Sequence, residues 1–368
     1  MKIFGDYRIS PYNPAPLDGI GVKWLPEENP PRCELDFSRF EKEMTRVFAQ
    51  YNFTNFRLPF EGLGWGTYAE SAEGEIAGYA GDTPQYKAMI ADYGKKLQEG
   101  LRERGLLDAA YVYWFDEPEP KDYGFVARGF GKLKKYAPEI DRMLTEEPSP
   151  EFRKILEEND ASIDVWCPVS PAYDEAQGKI EKDAGNRFWW YVCTYPKEPY
   201  CTEFTDHPPV ELRIWHWQTF ERGITGCLVW ESTYWTSSAA FPNEAQNPYL
   251  DPMCYVSGYS TPAGTKQFWG NGDGRFIYPP LSAATPGRND GKPIFDDPVA
   301  SVRWEMIREG VQDFEMLSML KKLTENRDLT DAQRQNHKSA YKMPPAYSHQ
   351  FLVQSHLSVA PNLPWLTV

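Results

Sequence analysis

Cysteine is sparse. The chain carries six in 368 residues, at 33, 167, 193, 201, 227 and 254, with no Cys-x-x-Cys and no pair closer than 193 and 201. That spacing argues against a zinc site and leaves a reduced set and one or two disulfides equally open. Positive charge is also short: 39 Lys and Arg stand against 53 Asp and Glu, a formal net charge of −14. Nothing in that balance offsets phosphate repulsion, which speaks against nucleic acid or an anionic membrane as partner. No run of about 18 apolar residues exists to span a bilayer. Met1-Lys2 leads into Ile-Phe-Gly-Asp-Tyr-Arg without an apolar signal core, so the chain reads as cytoplasmic by default unless its N-terminus is incomplete. Glycine offers no Rossmann fingerprint, and no cofactor is expected.

What is present is aromatic. Phe, Trp and Tyr make up 15% of the chain, with 13 Trp, and Pro reaches 32. Such a density either fills a core or offers flat surfaces to flat ligands such as sugar rings. Hydrophobic content of 41% and charged content of 25% are globular values, not those of a disordered chain.

Short apolar runs recur at Asp6–Tyr12, Asn55–Phe60, Ala109–Phe115, Ile140–Leu144, Ser162–Cys167, Arg187–Cys193 and Thr225–Trp230. Several read as strands buried on both faces. Helical patterns lie between them: Phe37–Gln50 after Asp36, Pro84–Arg104 before Gly105, Tyr123–Tyr136, Pro150–Asn159, and Pro209–Arg222 before Gly223. Strand and helix in alternation predict a parallel sheet, and the length of the series favours a (β/α)8 TIM-type barrel. Seven strands are legible where a barrel needs eight. Either the first strand and helix are missing, the preferred expectation, or a segment such as Arg275–Tyr278 fills the gap. Ser232–Asp297 reads as a long aromatic loop region after the last strand, with room for a small hairpin. Pro298–Asn326 predicts one long amphipathic helix or a helix pair. Residues 1–330 form the expected catalytic domain. Residues 331–368 are an atypical extension, since Lys342 is the only charged residue from Tyr341 to Val368.

The sharpest local feature is Tyr111-Val-Tyr-Trp-Phe-Asp116-Glu117-Pro118-Glu119-Pro120. An apolar strand ends in two adjacent acids and is stopped by two prolines. Strand C-termini line the mouth of a β/α barrel, so acids there are catalytic candidates. The alternative is that the pair caps the next helix or binds an Arg. Neighbours on one strand point to opposite faces. Both face the mouth only where the strand breaks into a loop, and they then lie on one side of a sugar. That arrangement suits a 2-acetamido sugar whose own carbonyl oxygen attacks the anomeric carbon. Asp116 would orient the acetamido N–H, and Glu117 would protonate the leaving oxygen and then activate water.

The Tyr-Trp-Phe-Asp-Glu-Pro run, Phe188-Trp-Trp-Tyr-Val-Cys-Thr-Tyr195-Pro, Arg213-Ile-Trp-His-Trp with Gly226-Cys-Leu-Val-Trp230, and Ser301–Glu315 together resemble glycoside hydrolase family 123 over roughly residues 5–330. The resemblance implies a β-N-acetylgalactosaminidase with a barrel catalytic domain, free of metal and cofactor, whose Asp-Glu pair falls on Asp116 and Glu117. It also implies a β-sandwich before the barrel, for which this chain has no room, and the similarity fades after about Pro344. Carbohydrate is the expected partner; oligomeric state is not legible.

Tyr195, Trp230, Trp235, Trp166 and Tyr191 stand at or near strand ends as candidates to contact the sugar, although barrel core must claim several aromatics of this kind. Trp215 and Trp217 read as helix residues packed on the barrel. Glu231 follows a strand and, set opposite Glu117, would give an ordinary two-carboxylate retaining glycosidase instead. A non-catalytic carbohydrate-binding barrel is the other reading. Thr145-Glu146-Glu147 ends another strand, as rim or as helix cap. Arg303, Glu305, Arg308 and Asp313 read as ion pairs on helix faces.

Overall fold

The computed structural model describes residues 1–67, 71–257, 262, 264–284 and 292–325. The expected C-terminal extension, 331–368, lies outside the described residues. Six parallel strands form the central sheet: β1 (Phe56–Arg57), β2 (Ala110–Tyr113), β3 (Asp141–Leu144), β4 (Val165–Trp166), β5 (Arg187–Val192) and β6 (Gly226–Val229), side by side in chain order. Eight α-helices accompany them among the described residues.

The sheet is curled. Rings of Tyr111 on β2 and Trp189 on β5 meet with centroids 5.1 Å apart, yet those strands are three positions apart, about 14 Å in a flat sheet. The concave side holds Tyr111, Met143, Val165, Cys167 and Tyr191 as one buried cluster. The convex side meets the helices. Trp190 points there and stacks on Trp215 of the helix Val210–Glu221, centroids 6.1 Å apart, so Trp215 packs on the convex side of the sheet. Trp189 and Trp190 thus obey the two-residue period of a strand.

The helices begin where the sequence supplies caps. Thr83 and Ser149 each accept the N–H of the residue three positions on, with Pro at the next position, and Ser301 does the same for Trp304. Each such cap contributes about 1 kcal/mol. Gly105 and Gly223 follow two of the helices at positive φ. A helix not foreseen from the sequence, Glu175–Asp183, is capped by Asp174.

The two sheet edges differ from expectation. Asp6–Tyr12 is not a strand: Lys2–Asp6 is helical, and residues 7–20 carry no regular element. Pro11, Pro14 and Pro16 cannot donate to a ladder. Even so, the Tyr12 carbonyl accepts the Arg57 N–H at 3.1 Å, so the segment lies along the free edge of β1. At the other edge, Ile277 donates to the Ser232 carbonyl at 2.8 Å, and Ile277–Tyr278 pairs antiparallel with Val299–Ala300. The region 232–297 holds the expected hairpin, Met253–Val256 with Gln267–Asn271.

The late helix is single, Val302–Thr324. It lies on Val210–Glu221 through the Arg213–Asp313 ion pair, the Trp217 indole N–H to Asp313 at 2.8 Å, and an edge contact between Phe220 and Phe314. Arg308 pairs with Glu305 and Glu309 on the surface. Arg303 departs from its expected role. It is buried, and its guanidinium donates to the carbonyls of Glu203, Gly272 and Arg275 at 2.5–2.7 Å. All six cysteines are unpaired. Among the described residues, no helix is long and apolar enough to cross a membrane.

Glu203 and Asp273 are fully buried beside Arg303 and bond to each other, and no side-chain donor from the other described residues reaches their four carboxyl oxygens. Burial first, then a hydrogen bond to Asp273 and the Asp273 charge, pushes Glu203 well above the usual carboxylate range, and burial also raises Asp273. A raised carboxyl binds its proton more tightly folded than unfolded, so stability falls as pH rises above the unfolded carboxylate range. Glu203→Gln removes one such group. The loss of melting temperature between pH 5 and pH 8 should therefore be smaller in the variant than in the parent; an unchanged loss would show that the pH dependence arises elsewhere.

Candidate active site

Strand β2 stops at Tyr113, and Trp114 interrupts the ladder. Phe115–Asp116 then pairs in parallel with Gly64–Thr67, outside the central sheet. The two backbones approach so closely that a Cβ on Gly66 would lie 2.1 Å from the Phe115 ring. Glu117 follows with φ +46°, a left-handed conformation that costs a non-glycine residue about 1–2 kcal/mol. Pro118 disfavours the right-handed helical alternative at Glu117. This break turns the second acid of the pair. The helix-capping role falls to Glu119 and Asp122, whose side chains and N–H groups bond reciprocally.

Thr145, just after β3 and 4% exposed, binds both acids. Its hydroxyl accepts the Glu117 N–H at 2.9 Å and donates to Asp116 Oδ1 at 3.0 Å. Tyr113 also donates to Asp116 Oδ1. Tyr191, on β5, donates to Glu117 Oε1. The pair therefore faces the concave side of the sheet, held by hydroxyls from β2, β3 and β5.

Burial raises the Glu117 carboxyl above its ordinary range. The Asp116 charge adds to the rise, and the Tyr191 hydrogen bond opposes it. The same contact, after burial, pushes the Tyr191 hydroxyl up, so this proton stays on Tyr191. Glu146 accepts from Tyr123 at 3.0 Å. Burial, then the charge of Glu147 and, more weakly, that of Glu117, pushes Glu146 up to about 8. Thr145 thus bonds the acid pair, Glu146 bonds Tyr123, and Ser149 caps the following helix. The Cys193 thiol, above Tyr191 on β5's end, is pushed up to about 11, mainly by burial.

The remaining candidates divide. Trp230, after β6, meets Tyr234 and Trp269 with centroids 5.5 and 5.3 Å away. Glu231 is raised by burial alone, and a Cβ on Gly274 would lie 3.5 Å from its Cγ. Tyr195 is 52% exposed on the loop after β5. Trp235 spends its indole N–H on the Ile277 carbonyl at 2.7 Å. Trp166 departs from expectation. It points to the convex, helix-covered side of the sheet, is 1% exposed, donates to Glu181 at 3.0 Å and meets Phe152 edge-on. Its neighbour Val165 takes the inward position. Among the described residues, no three Asp, Glu, His or Cys come together in a way that could hold a metal ion.

Residues 28–320 match the family model described as glycoside hydrolase 123, catalytic domain. Among solved structures the chain is similar to a family 123 glycoside hydrolase from Clostridium perfringens, studied for glycolipid glycan hydrolysis, at 17% identity and a TM-score of 0.50. The match covers 87% of this chain and 49% of that one, so this chain spans about half the length of that relative. No curated protein matches the chain.

A hydrogen bond to the ionised form holds a carboxyl's pKa down. Tyr191→Phe removes the bond to Glu117, so the Glu117 titration midpoint should move to higher pH. Infrared difference titration of protein labelled with 13C-glutamate reads it; a midpoint that stays or falls would show that the Tyr191 contact does not govern Glu117.

Proposed function

The chain belongs to glycoside hydrolase family 123, and on that premise we propose that it removes terminal β-linked N-acetylgalactosamine with retention, the substrate's 2-acetamido group acting as nucleophile. The observation that carries this reading is the adjacent, hydroxyl-bound pair: Asp116 accepts two hydrogen bonds at Oδ1, and Glu117 is raised by burial next to it. Asp116 orients the acetamido N–H and stabilises positive charge on the oxazolinium ring. Glu117, poised to hold a proton, donates it to the glycosidic oxygen and then takes one from the attacking water. Tyr191 keeps the Glu117 carboxyl directed at the concave side through both steps. Trp230 and Tyr195 flank the sugar.

The rival pairing of Glu117 with Glu231 fits less well. Retaining carboxylates stand about 5 Å apart, and at that separation two charges repel by about 3 kcal/mol at an effective dielectric of 20. Glu231 is not among the charges that raise Glu117, and its own rise comes from burial alone, so the two show no sign of that mutual repulsion. In an eightfold barrel the two remaining positions would fall to the segment through Tyr12, beside β1, and the segment through Ile277, near β6. Residues 1–330 then form the catalytic domain.

The activity of the C. perfringens relative toward glycolipid glycans makes a β-N-acetylgalactosamine-capped oligosaccharide the first natural-type substrate to assay. With 4-nitrophenyl β-glycosides, the N-acetylgalactosaminide should be cleaved and the plain galactoside not. Equal rates would defeat acetamido assistance, and sugar binding without turnover would favour a binding module. Asp116→Asn should lower kcat about 10²–10⁴-fold on every leaving group. Glu117→Gln should lower it by a similar factor for poor leaving groups but far less for nitrophenol, which needs no proton. Small, equal effects from both changes would contradict the assignment.

A further inference from the structure

We propose that Arg57 is a further substrate-binding residue, whose guanidinium donates to the 3- and 4-hydroxyls of the sugar that Asp116 and Glu117 hold. The assignment rests on the glycosidase reading above and names what grips the other edge of the same ring. Arg57 closes β1, and the strand period decides where it points. Phe56 and Leu58 belong to the core shared with the helices. Phe56 meets Phe40 and Phe48 of the helix Ser38–Tyr51, with centroids 5.9 and 6.0 Å away. Arg57, between these two residues, faces the other side of the sheet. Its partner in the ladder is Tyr111, a member of the concave cluster.

The side chain runs toward the acids. The Arg57 backbone lies level with Tyr111, whereas its Nε donates to the carbonyl of Tyr113 at 3.2 Å, nearer the end of β2. The guanidinium lies over the Tyr12 ring, 5.3 Å from its centroid, and Tyr12 meets Tyr113 edge-on at 6.2 Å. Tyr113 joins the two groups directly: its carbonyl takes Arg57, and its hydroxyl donates to Asp116. The Tyr12 hydroxyl registers both charges. Burial raises its pKa, Arg57 opposes the rise, and Asp116 adds to it.

The donors of this group are not spent. Among the described residues no carboxylate forms an ion pair with Arg57, and no acceptor takes either of its Nη groups. Arg57 is only half-buried, and Tyr12 beside it is 48% exposed, so a ligand can reach the free N–H groups. A planar fork of donors matches two neighbouring oxygens, and vicinal sugar hydroxyls present such a pair.

The order of groups across the sheet matches the order of substituents round the ring. Arg57 stands on β1, Asp116 bonds Tyr113 of β2 and Thr145 after β3, and Glu117 bonds Tyr191 of β5. Round the sugar, the 3- and 4-hydroxyls come first, then the acetamido group on C2, then the leaving oxygen on C1. With Asp116 on the amide and Glu117 on the leaving oxygen, the edge that carries the two hydroxyls falls on the β1 side.

Arg57→Gln and the parent are compared on 4-nitrophenyl β-N-acetylgalactosaminide and on its 3-deoxy and 4-deoxy analogues. In the parent each deletion should cost roughly ten- to a hundredfold in kcat/KM, the range for a hydrogen bond to a charged group. Arg57→Gln should lose a similar factor on the intact sugar and then little more on an analogue whose hydroxyl Arg57 held. Such non-additivity at either hydroxyl supports the contact, because a purely structural defect would slow all three substrates alike. Losses that multiply independently at both hydroxyls, or an unchanged rate on the intact sugar, would overturn it. Arg57→Lys carries the same comparison if Arg57→Gln does not fold. If the parent cleaves none of the three, the glycosidase reading fails by itself, and calorimetry with N-acetylgalactosamine and its two deoxy forms decides Arg57. Affinity that drops in Arg57→Gln, and drops little further when a hydroxyl is removed, supports the contact; no binding by the parent, or equal affinity in both proteins, overturns it.

Discussion

One hydroxyl fixes the geometry of the candidate site. Thr145 takes the Glu117 N–H and gives its own proton to Asp116, so a side chain after β3 sets the relative positions of two acids after β2. Without it, the left-handed turn at Glu117 would have lost a partner that offsets its cost, and the two carboxyls would be free to part. The curl of the sheet supplies the rest. Only a concave surface brings Tyr191, three strands away, within reach of Glu117. Fold and chemistry meet at this point: the sheet must bend to pack its aromatic interior, and bending gathers its strand ends around the acids.

The surroundings of the pair hold protons. Glu117 sits between the Asp116 charge and apolar walls, and Glu146 nearby is raised to about 8 amid Glu147, Glu117 and the Tyr123 hydroxyl. The groups that bond these acids are hydroxyls. Burial thus raises two of the carboxyls there, Glu117 and Glu146, above their ordinary range. A chain of net charge −14 would meet a polyanion with repulsion at every approach.

Much of this was legible in the sequence. All six parallel strands fall within apolar runs, because a strand buried on both faces must be apolar throughout. Asp116 and Glu117 stood out because acids end such a run abruptly before prolines. Other features were hidden for identifiable reasons. A continuously apolar run conceals which residues face inward, so Trp166 could not be told from Val165. Asp6–Tyr12 is apolar enough for a strand, but its neighbouring prolines withhold the donors of a ladder. Arg303 matched a helical charge pattern, whereas its partners are carbonyls distant in sequence. Tyr113 is an unremarkable letter within its strand, and Thr145, just past the end of β3, read equally as rim or cap until the sheet set both beside Asp116. The tyrosine-to-carboxylate bond across three strands has no local signature.

The most direct test of the account is a crystal structure with N-acetylgalactosamine thiazoline, a stable mimic of the oxazolinium ring. The account predicts the thiazoline nitrogen within hydrogen-bond distance of an Asp116 carboxyl oxygen, with the Glu117 carboxyl on the side from which the leaving oxygen departs. A thiazoline bound elsewhere, or an Asp116 carboxyl turned away from its ring, would contradict it.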